Sequence, residues 1–393
     1  KTNQFKHYRY DANIANTISH DWVRVIFEDN DYNMWLGTWG GGLNKFNRKT
    51  GDFKRYLPKS NTINSINRNI ITALFQDNDG ELWIGTYGGG INIYQPKTDD
   101  FRSITHDKNN PNSLSDDHIT SFHQDNKGVI WICTYGGGLN AYNKKTNTFK
   151  RFLPNPEQNY SLNNYKTLHI FDVPNEDYFW ITTLGGGINK YYYKDNKFFN
   201  YTEKDGLSNN STMGMLLDST GHYWISSNNG LSRFNPTEET FINYTTIDGL
   251  GSDDYNLEAY AKTKTGILYF GGKKGVTYFN PKSVKPQTSF PKVALTNIKI
   301  EDSVHSEFSN KVLEVPYKKR ITIEYAALNA DKTNNIKYAY QLIGRDKDWN
   351  YVNKNRYLEF TNLVPGNYKL RLKSTNSDQI WNSEYTSVSL YIP

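Results

Sequence analysis

Asp77-Asn-Asp-Gly-Glu-Leu-Trp-Ile-Gly-Thr-Tyr-Gly-Gly-Gly-Ile-Asn-Ile-Tyr94 holds a polar turn, a short apolar run around Trp83, a glycine run and a second apolar run. The phrase returns along the chain, with its landmark at Trp35, Trp83, Trp131, Trp180 and Trp224 and a tyrosine, Tyr269, in the sixth place. The spacing is 44 to 49 residues. A period in the forties, made of short strand-like runs separated by turn residues, marks the blades of a β-propeller.

Within the second repeat four strands are expected, at Ile70–Gln76, Leu82–Thr86, Ile91–Tyr94 and Phe101–Thr105. Asp, Asn and Gly in the first turn suit a tight hairpin, because they bond their own backbone or tolerate positive φ. The tryptophan of the second strand is expected to fill the space between neighbouring blades. A phenylalanine marks the fourth strand at Phe53, Phe101, Phe149, Phe198 and Phe241, but nothing equivalent follows Tyr269. Lys1-Thr-Asn-Gln-Phe5 matches Lys145-Thr-Asn-Thr-Phe149. The N-terminal segment is therefore expected to supply the outer strand of an incomplete blade. Pairing with the Tyr269 repeat would close a six-bladed ring; a missing upstream segment would make it seven.

Propeller phrasing stops at Tyr278-Phe-Asn-Pro281, and residues 282–291, with Pro286 and Pro291, read as a linker. Beyond it, Val293–Ile300, Val312–Val315, Ile321–Tyr325, Ile336–Ile343, Tyr357–Phe360, Tyr368–Lys373 and Val388–Ile392 alternate as strands do. About seven short strands in about a hundred residues predict an immunoglobulin-like sandwich. The expected fold class is thus all-β: a β-propeller over residues 1–281 and a β-sandwich over 292–393.

Composition agrees. Thirty Tyr, 20 Phe and 9 Trp suit pleated surfaces, and 29 Gly with 13 Pro supply turns. A net charge of +6 on 46 basic and 40 acidic residues, with no block of like charge, gives no footprint for nucleic acid. No apolar stretch nears the ~18 residues of a membrane span. The chain starts without methionine, as an excised or mature piece would. The single Cys133 reads as a small buried residue.

Catalytic and metal motifs are weak. The Gly-Gly-Gly runs lack the Gly-Lys-Ser/Thr ending of a phosphate loop, so hairpin turns are expected. Asp-Asn-Asp-Gly lacks the remaining ligands of a calcium loop. His20, His118, His123, His169 and His222 follow no metal-ligand spacing. No metal and no cofactor is expected, and no enzyme.

The variable position lies just before the glycines: Trp39, Tyr87, Tyr135, Leu184, Asn228 and Lys273. In a propeller these turns share one face with the start of each first strand. Trp22, Arg24, Arg68, His118, Tyr165 and Lys166 therefore join Trp39, Tyr87, Tyr135, Asn228 and Lys273 as candidate ligand-binding residues. Aromatic faces stack on sugar C–H faces, and Arg, Lys and Asn bond hydroxyls, carboxylates or sulfates, so the expected partner is an oligosaccharide, with a weak bias to an acidic one.

Residues 319–393 resemble the domain named for its three tyrosines. The resemblance is carried by Tyr338-Ala-Tyr340-Gln-Leu-Ile-Gly344-Arg-Asp-Lys-Asp-Trp349, Leu363-Val-Pro-Gly366-Asn-Tyr368 and Trp381. The blades, with Trp-Ile-Gly-Thr followed by Gly-Gly-Gly-Leu-Asn, are similar to two-component regulator propeller repeats. The pair, in this order, resembles the periplasmic sensor region of bacterial hybrid two-component systems that regulate glycan-use genes. That resemblance implies a membrane-anchored full-length protein with a kinase after Pro393, and a homodimer through the sandwich. Six repeats fall short of the two larger tandem propellers it also implies. A protein-interaction scaffold without a small-molecule ligand is the other function this fold allows. Trp349, Tyr368 and Trp381 are expected as core or corner residues.

Overall fold

The structure is a computed structural model that describes residues 5–60, 62–284, 290–305, 312–328, 336–376, 378 and 380–393. The chain divides into two compact units, Lys1–Pro281 and Lys282–Pro393.

In the first unit Val23–Glu28, Met34–Thr38, Leu43–Phe46 and Phe53–Tyr56 (β1–β4) form blade one. Ile71–Gln76, Leu82–Thr86, Ile91–Gln95 and Asp100–Ile104 (β5–β8) form blade two, and Ile119–Gln124, Ile130–Thr134, Leu139–Asn143 and Thr148–Phe152 (β9–β12) blade three. Thr167–Asp172, Tyr178–Thr183, Ile188–Tyr192 and Lys197–Tyr201 (β13–β16) form blade four. Thr212–Leu217, Tyr223–Ser227, Gly230–Asn235 and Thr240–Tyr244 (β17–β20) form blade five. Each is a four-stranded antiparallel meander, while blade six, Tyr255–Lys262, Leu268–Gly272 and Gly275–Phe279 (β21–β23), has three strands.

The recurring aspartate explains the turn and part of the core. Asp77 Oδ1 accepts from the backbone N–H of Asp79 and Glu81, and its Oδ2 accepts the Trp83 indole N–H at 3.0 Å. Asp29, Asp125 and Asp218 hold Trp35, Trp131 and Trp224 in the same way at 2.8 to 2.9 Å. Pro174 stands at that position in blade four, and the buried Trp180 indole N–H has no partner among the described residues. Each tryptophan then reaches an aromatic ring on the third strand of the next blade. The pairs are Trp35–Tyr94, Trp83–Tyr142, Trp131–Tyr191, Trp180–Phe234 and Trp224–Phe279, with centroids 4.6 to 5.7 Å apart. Blade-to-blade packing is therefore a chain of edge-on or tilted aromatic contacts.

Burial alone would raise the Asp218 carboxyl, but hydrogen bonds from Thr220, the Trp224 indole and the backbone of His222 and Thr220 outweigh it and hold it below the ordinary value of 3.8; Asp29 is held low likewise, by Trp35, Asn33 and Asp31. A depressed folded-state pKa gives stability that is complete above the unfolded value and is lost as pH falls through the folded one. Stability to urea is thus expected to hold from neutrality down to about pH 5 and to fall progressively below pH 4. The Asp218→Asn variant should show a shallower acid decline in the same titration.

The expected closure by the N-terminal segment is corrected. Residues 5–10 form no strand, and among the described residues nothing pairs them with β23; Lys1–Gln4 lie outside the described residues. Phe5 is 90% exposed, unlike the buried Phe53, Phe101 and Phe149 it was aligned with. Tyr8 instead packs edge-on against Phe46 and Phe53 of blade one, at 5.2 and 5.5 Å.

The second unit is a two-sheet sandwich. Lys292–Ile300, Ser303–His305, Val312–Glu314, Ile321–Leu328, Tyr338–Ile343, Asn350–Asn353, Tyr357–Phe360, Gly366–Ser374 and Thr386–Ile392 are β24–β32. One sheet runs β25-β24-β27-β30 and the other β26-β32-β31-β28-β29. One apolar core, including Ile298, Ile323, Tyr338, Leu370 and Leu390, lies between them. Of the expected linker, residues 285–289 lie outside the described residues.

Tyr368 behaves as predicted: it is buried and its hydroxyl donates to the Val364 carbonyl at 2.9 Å, a corner bond of the sandwich kind. Trp349 and Trp381 do not enter the core. Lys373 lies over both rings, at 4.2 and 5.4 Å, and they meet the exposed Tyr385 and Tyr351. Lys373 alternates on β31 with the core residues Leu370 and Leu372, so these rings lie on the outer face of the sheet.

Candidate functional site

The glycine runs set the geometry of one face of the first unit. The third glycine of each run has φ near +70°, and its N–H donates to the backbone at the start of the next blade: Gly42 to Asn69, Gly90 to Asp117, Gly138 to Tyr165 and Gly187 to Asn210, at 2.7 to 2.8 Å. The residue before the run bonds there too, as when the Tyr87 N–H donates to the Ile70 carbonyl at 3.1 Å. Each turn is thereby fastened to its neighbour, and the side chain before the glycines is held at the mouth of the ring. The runs are hairpin turns, as expected.

At this mouth four rings stand in sequence. Trp22 stacks on Trp39 at 5.5 Å and 27°, Trp39 meets Tyr87 at 5.7 Å, and Tyr87 meets Tyr135 at 6.4 Å. They line a cavity of about 540 Å³ together with Arg24, Thr72, Thr120 and the segment Asn256–Ala259. Most ligand pockets are of this kind, apolar walls with a few convergent polar groups. Its edge carries His118, edge-on to Tyr87 at 4.5 Å, and Lys166, over the Tyr135 ring at 5.1 Å.

The remaining candidates lie elsewhere. Arg68 bonds back to the Asn67 carbonyl, and Tyr165 lines a separate depression with Tyr160 and Phe198. The Asn228 N–H donates to Ser211, and the Lys273 ammonium pairs with Asp254; neither side chain reaches the cavity.

Sequence reasoning missed the polar floor. In β21 three extra residues bulge between the pairs Tyr255–Gly272 and Tyr260–Phe270, and Glu258 takes φ +57°. That conformation is rare for a non-glycine residue and turns this stretch inward. Glu258 lies 3.5 Å from Arg24, which also donates to the Leu257 carbonyl, and 3.5 Å from His169. The only signal in sequence was a departure from the Ile-Thr pattern of the strand starts in blades two and three. Nearby, burial pushes the His123 imidazole below its ordinary pKa despite Asp172 at 3.6 Å. Burial raises the Cys133 thiol to about 12, so it is a packing residue and no nucleophile at neutral pH. Among the described residues no group of three His, Cys, Asp or Glu side chains is placed to hold a metal ion, and no helix is long and apolar enough to cross a membrane.

The model of the two component regulator propeller matches residues 17–40, 65–88 and 113–136, and that of the Y_Y_Y domain matches 329–392. The chain carries two component regulator propeller repeats and a Y_Y_Y domain. Each matched propeller repeat runs from the start of a blade to its glycine turn, so it contains Trp22, Arg24 and Trp39, Arg68 and Tyr87, or His118 and Tyr135. A histidine kinase P4 of Formosa agariphila is 27% identical over 202 residues, covering 48% of this chain and 15% of that one. Two extracellular domains of Bacteroides thetaiotaomicron, assigned to hybrid two component systems BT3049 and BT4673, share the fold. The first has TM-score 0.71, 21% identity and 96% coverage of this chain; the second 0.55, 20% and 98%. The chain spans about half the length of these structures, 50% and 52%.

Proposed function

We propose that this chain is the extracytoplasmic sensing region of a hybrid two-component system, and that its propeller binds an oligosaccharide at the aromatic mouth. The observation that carries the reading is the convergence of Trp22, Trp39, Tyr87 and Tyr135 on one cavity with Arg24 and Glu258 at its floor. A sugar ring stacks its C–H face on such rings, while the ion pair and the Thr72 and Thr120 hydroxyls offer donors and acceptors to its hydroxyls. The matched propeller repeats, the Y_Y_Y domain and the histidine kinase relative support the sensor role. On this reading the region is periplasmic, belongs to a membrane-anchored protein and directs expression of glycan-use genes. Signalling needs only a ligand with different affinity for two arrangements of the protein. The outer-face cluster of the half-buried Trp349 and Trp381 with the exposed Tyr351 and Tyr385 supports a homodimer formed through the sandwich.

Calorimetry against a panel of neutral, uronic and sulfated oligosaccharides tests the site. One member is expected to bind, and Trp39→Ala and Tyr87→Ala should each weaken it about tenfold or more, since 1.4 kcal/mol of lost stacking is a factor of ten. Unchanged affinity in both variants removes the site. No binding across the panel, with a protein partner held by this face, favours the scaffold reading instead.

A further inference from the structure

The loop that enters each of the first four blades bonds to that blade's fourth strand in one way. Phe53, Phe101, Phe149 and Phe198 donate their N–H to the carbonyls of Asn16, Asn64, Asn112 and Tyr160, at 2.8 to 3.0 Å. In blades one and two the side chains at this point also satisfy each other. The Asn16 amide donates to Asp52 and the Asn64 amide to Asp100, at 2.6 and 3.1 Å. Blade four replaces both partners. Tyr160 stands for the asparagine and Lys197 for the aspartate, and the Lys197 ammonium lies over the Tyr160 ring at 5.0 Å. Tyr160 also takes φ +65°, a left-handed conformation that none of the three asparagines adopts. For a tyrosine that backbone costs energy, and such outliers gather at functional sites.

The exchange shapes a second depression, of about 530 Å³, on the loop between blades three and four. Tyr160 and Tyr165 are each half exposed in its wall, and Phe199 packs beside Tyr160 at 5.0 Å. The amides of Gln158, Asn159 and Asn196 and the Lys197 ammonium share this wall, and no carboxylate lines it among the described residues. Rings that take a C–H face, together with amides and an ammonium that bond hydroxyls, are the complement of a saccharide. An apolar side chain placed here would strip water from those polar groups and give them no hydrogen bond in return. The depression also adjoins the mouth. Tyr165, in its wall, is followed directly by Lys166, whose ammonium lies over the mouth residue Tyr135 at 5.1 Å.

We propose that this depression is a second saccharide subsite, holding one part of an oligosaccharide whose other part occupies the aromatic mouth. Tyr160 is its stacking platform, Lys197 and the amides bond the hydroxyls, and Tyr165 and Lys166 carry the sugar chain from one place to the other. This second subsite rests on the saccharide reading of the mouth. Consecutive Cα atoms lie about 3.8 Å apart, so a ligand of a few sugar residues reaches from Lys166 past Tyr165.

Titration calorimetry of the whole chain with cellohexaose, xylohexaose, mannohexaose and hexagalacturonate tests it. Tyr160→Asn restores the residue of the other three loops. It is expected to keep the parent's midpoint in urea, because asparagine tolerates positive φ far better than tyrosine. Tyr165→Ser, at the second half-exposed ring, is measured beside it. Each variant is expected to weaken the hexasaccharide that binds by about threefold or more, the worth of one aromatic contact. Unchanged affinity in both, with a loss in Trp39→Ala, overturns the second subsite and leaves the mouth as the only place of binding. A loss in both, with none in Trp39→Ala, keeps a saccharide site at Tyr160 and removes the one at the mouth. No binding by any of the four hexasaccharides overturns both sites.

Discussion

Trp83→Ala is expected to destabilise the first unit by about 3–5 kcal/mol, the usual cost of deleting a fully buried large aromatic. Trp83 is completely buried between blades two and three, against Phe122 and Tyr142, in a cluster that includes Ile91, Ile119 and Phe149. Its removal opens a cavity at a junction whose walls are two sheets, and sheets cannot collapse inward as single side chains can. It also strips a donor from Asp77, which is 1% exposed and would keep only its backbone bonds and Lys144. Urea denaturation followed by circular dichroism should show the lower midpoint, and hydrogen exchange should place the loosening in β5–β12. The hydrogen-bond share is separable. Trp83→Phe keeps a ring but removes the indole N–H bond to the buried Asp77 carboxylate, costing about 1–3 kcal/mol beyond the lost volume. Trp180→Phe loses no such bond, because among the described residues Trp180 has no partner for its indole N–H. The phenylalanine variant of Trp83 should therefore be clearly the less stable of the two; equal losses would show that the aspartate contributes nothing to the junction.

The same contrast explains what was legible in the sequence. Asp77, Trp83 and Gly90 lie within one repeat and interact over a few residues, so their spacing carries the blade directly. Burial of one sheet against the next follows from repetition, since every blade offers the same face. What fails is whatever departs from repetition. Glu258 reaches Arg24 only because β21 bulges, and the bulge follows from no residue in that strand alone. The N-terminal match to the outer strand was real at Tyr8, which takes the packing place of such a strand, but not at Phe5, which has no sheet to pair with. In the candidate site, Trp39, Tyr87 and Tyr135 were legible because the glycine turns fix where their side chains emerge. Asn228 and Lys273 share the alignment column but not the place, since blades five and six have shorter turns and Lys273 pairs with Asp254. Trp349 and Trp381 misled because large aromatics in a sandwich are usually core, whereas here cation contacts with Lys373 hold them on the outer face.

Gly138→Ala is expected to cost about 2–5 kcal/mol, the sum of a left-handed backbone for a residue with a Cβ and of overpacking. Gly138 has φ +68°, and a Cβ there would lie closer than 3.0 Å to the Phe152 carbonyl oxygen, a backbone atom fixed in β12. Neither strand can yield alone. The Gly138 N–H donates to Tyr165 at 2.8 Å, and its carbonyl accepts from the Thr134 backbone and hydroxyl and from the Thr167 hydroxyl. A shift of this residue therefore disturbs the hairpin of blade three, its outer strand and the bond to blade four together. Gly136, in the same run, has no positive φ, and the atoms nearest a Cβ there belong to the Asp116 side chain, the first at 3.3 Å. Gly136→Ala is expected to change stability by less than about 1 kcal/mol, as surface substitutions usually do. The pair distinguishes two reasons for a glycine run. If the run served only flexibility, both variants would behave alike in urea denaturation. If it serves close approach, the loss belongs to Gly138, and binding at the mouth should weaken with it, because Tyr135 is positioned by the same turn.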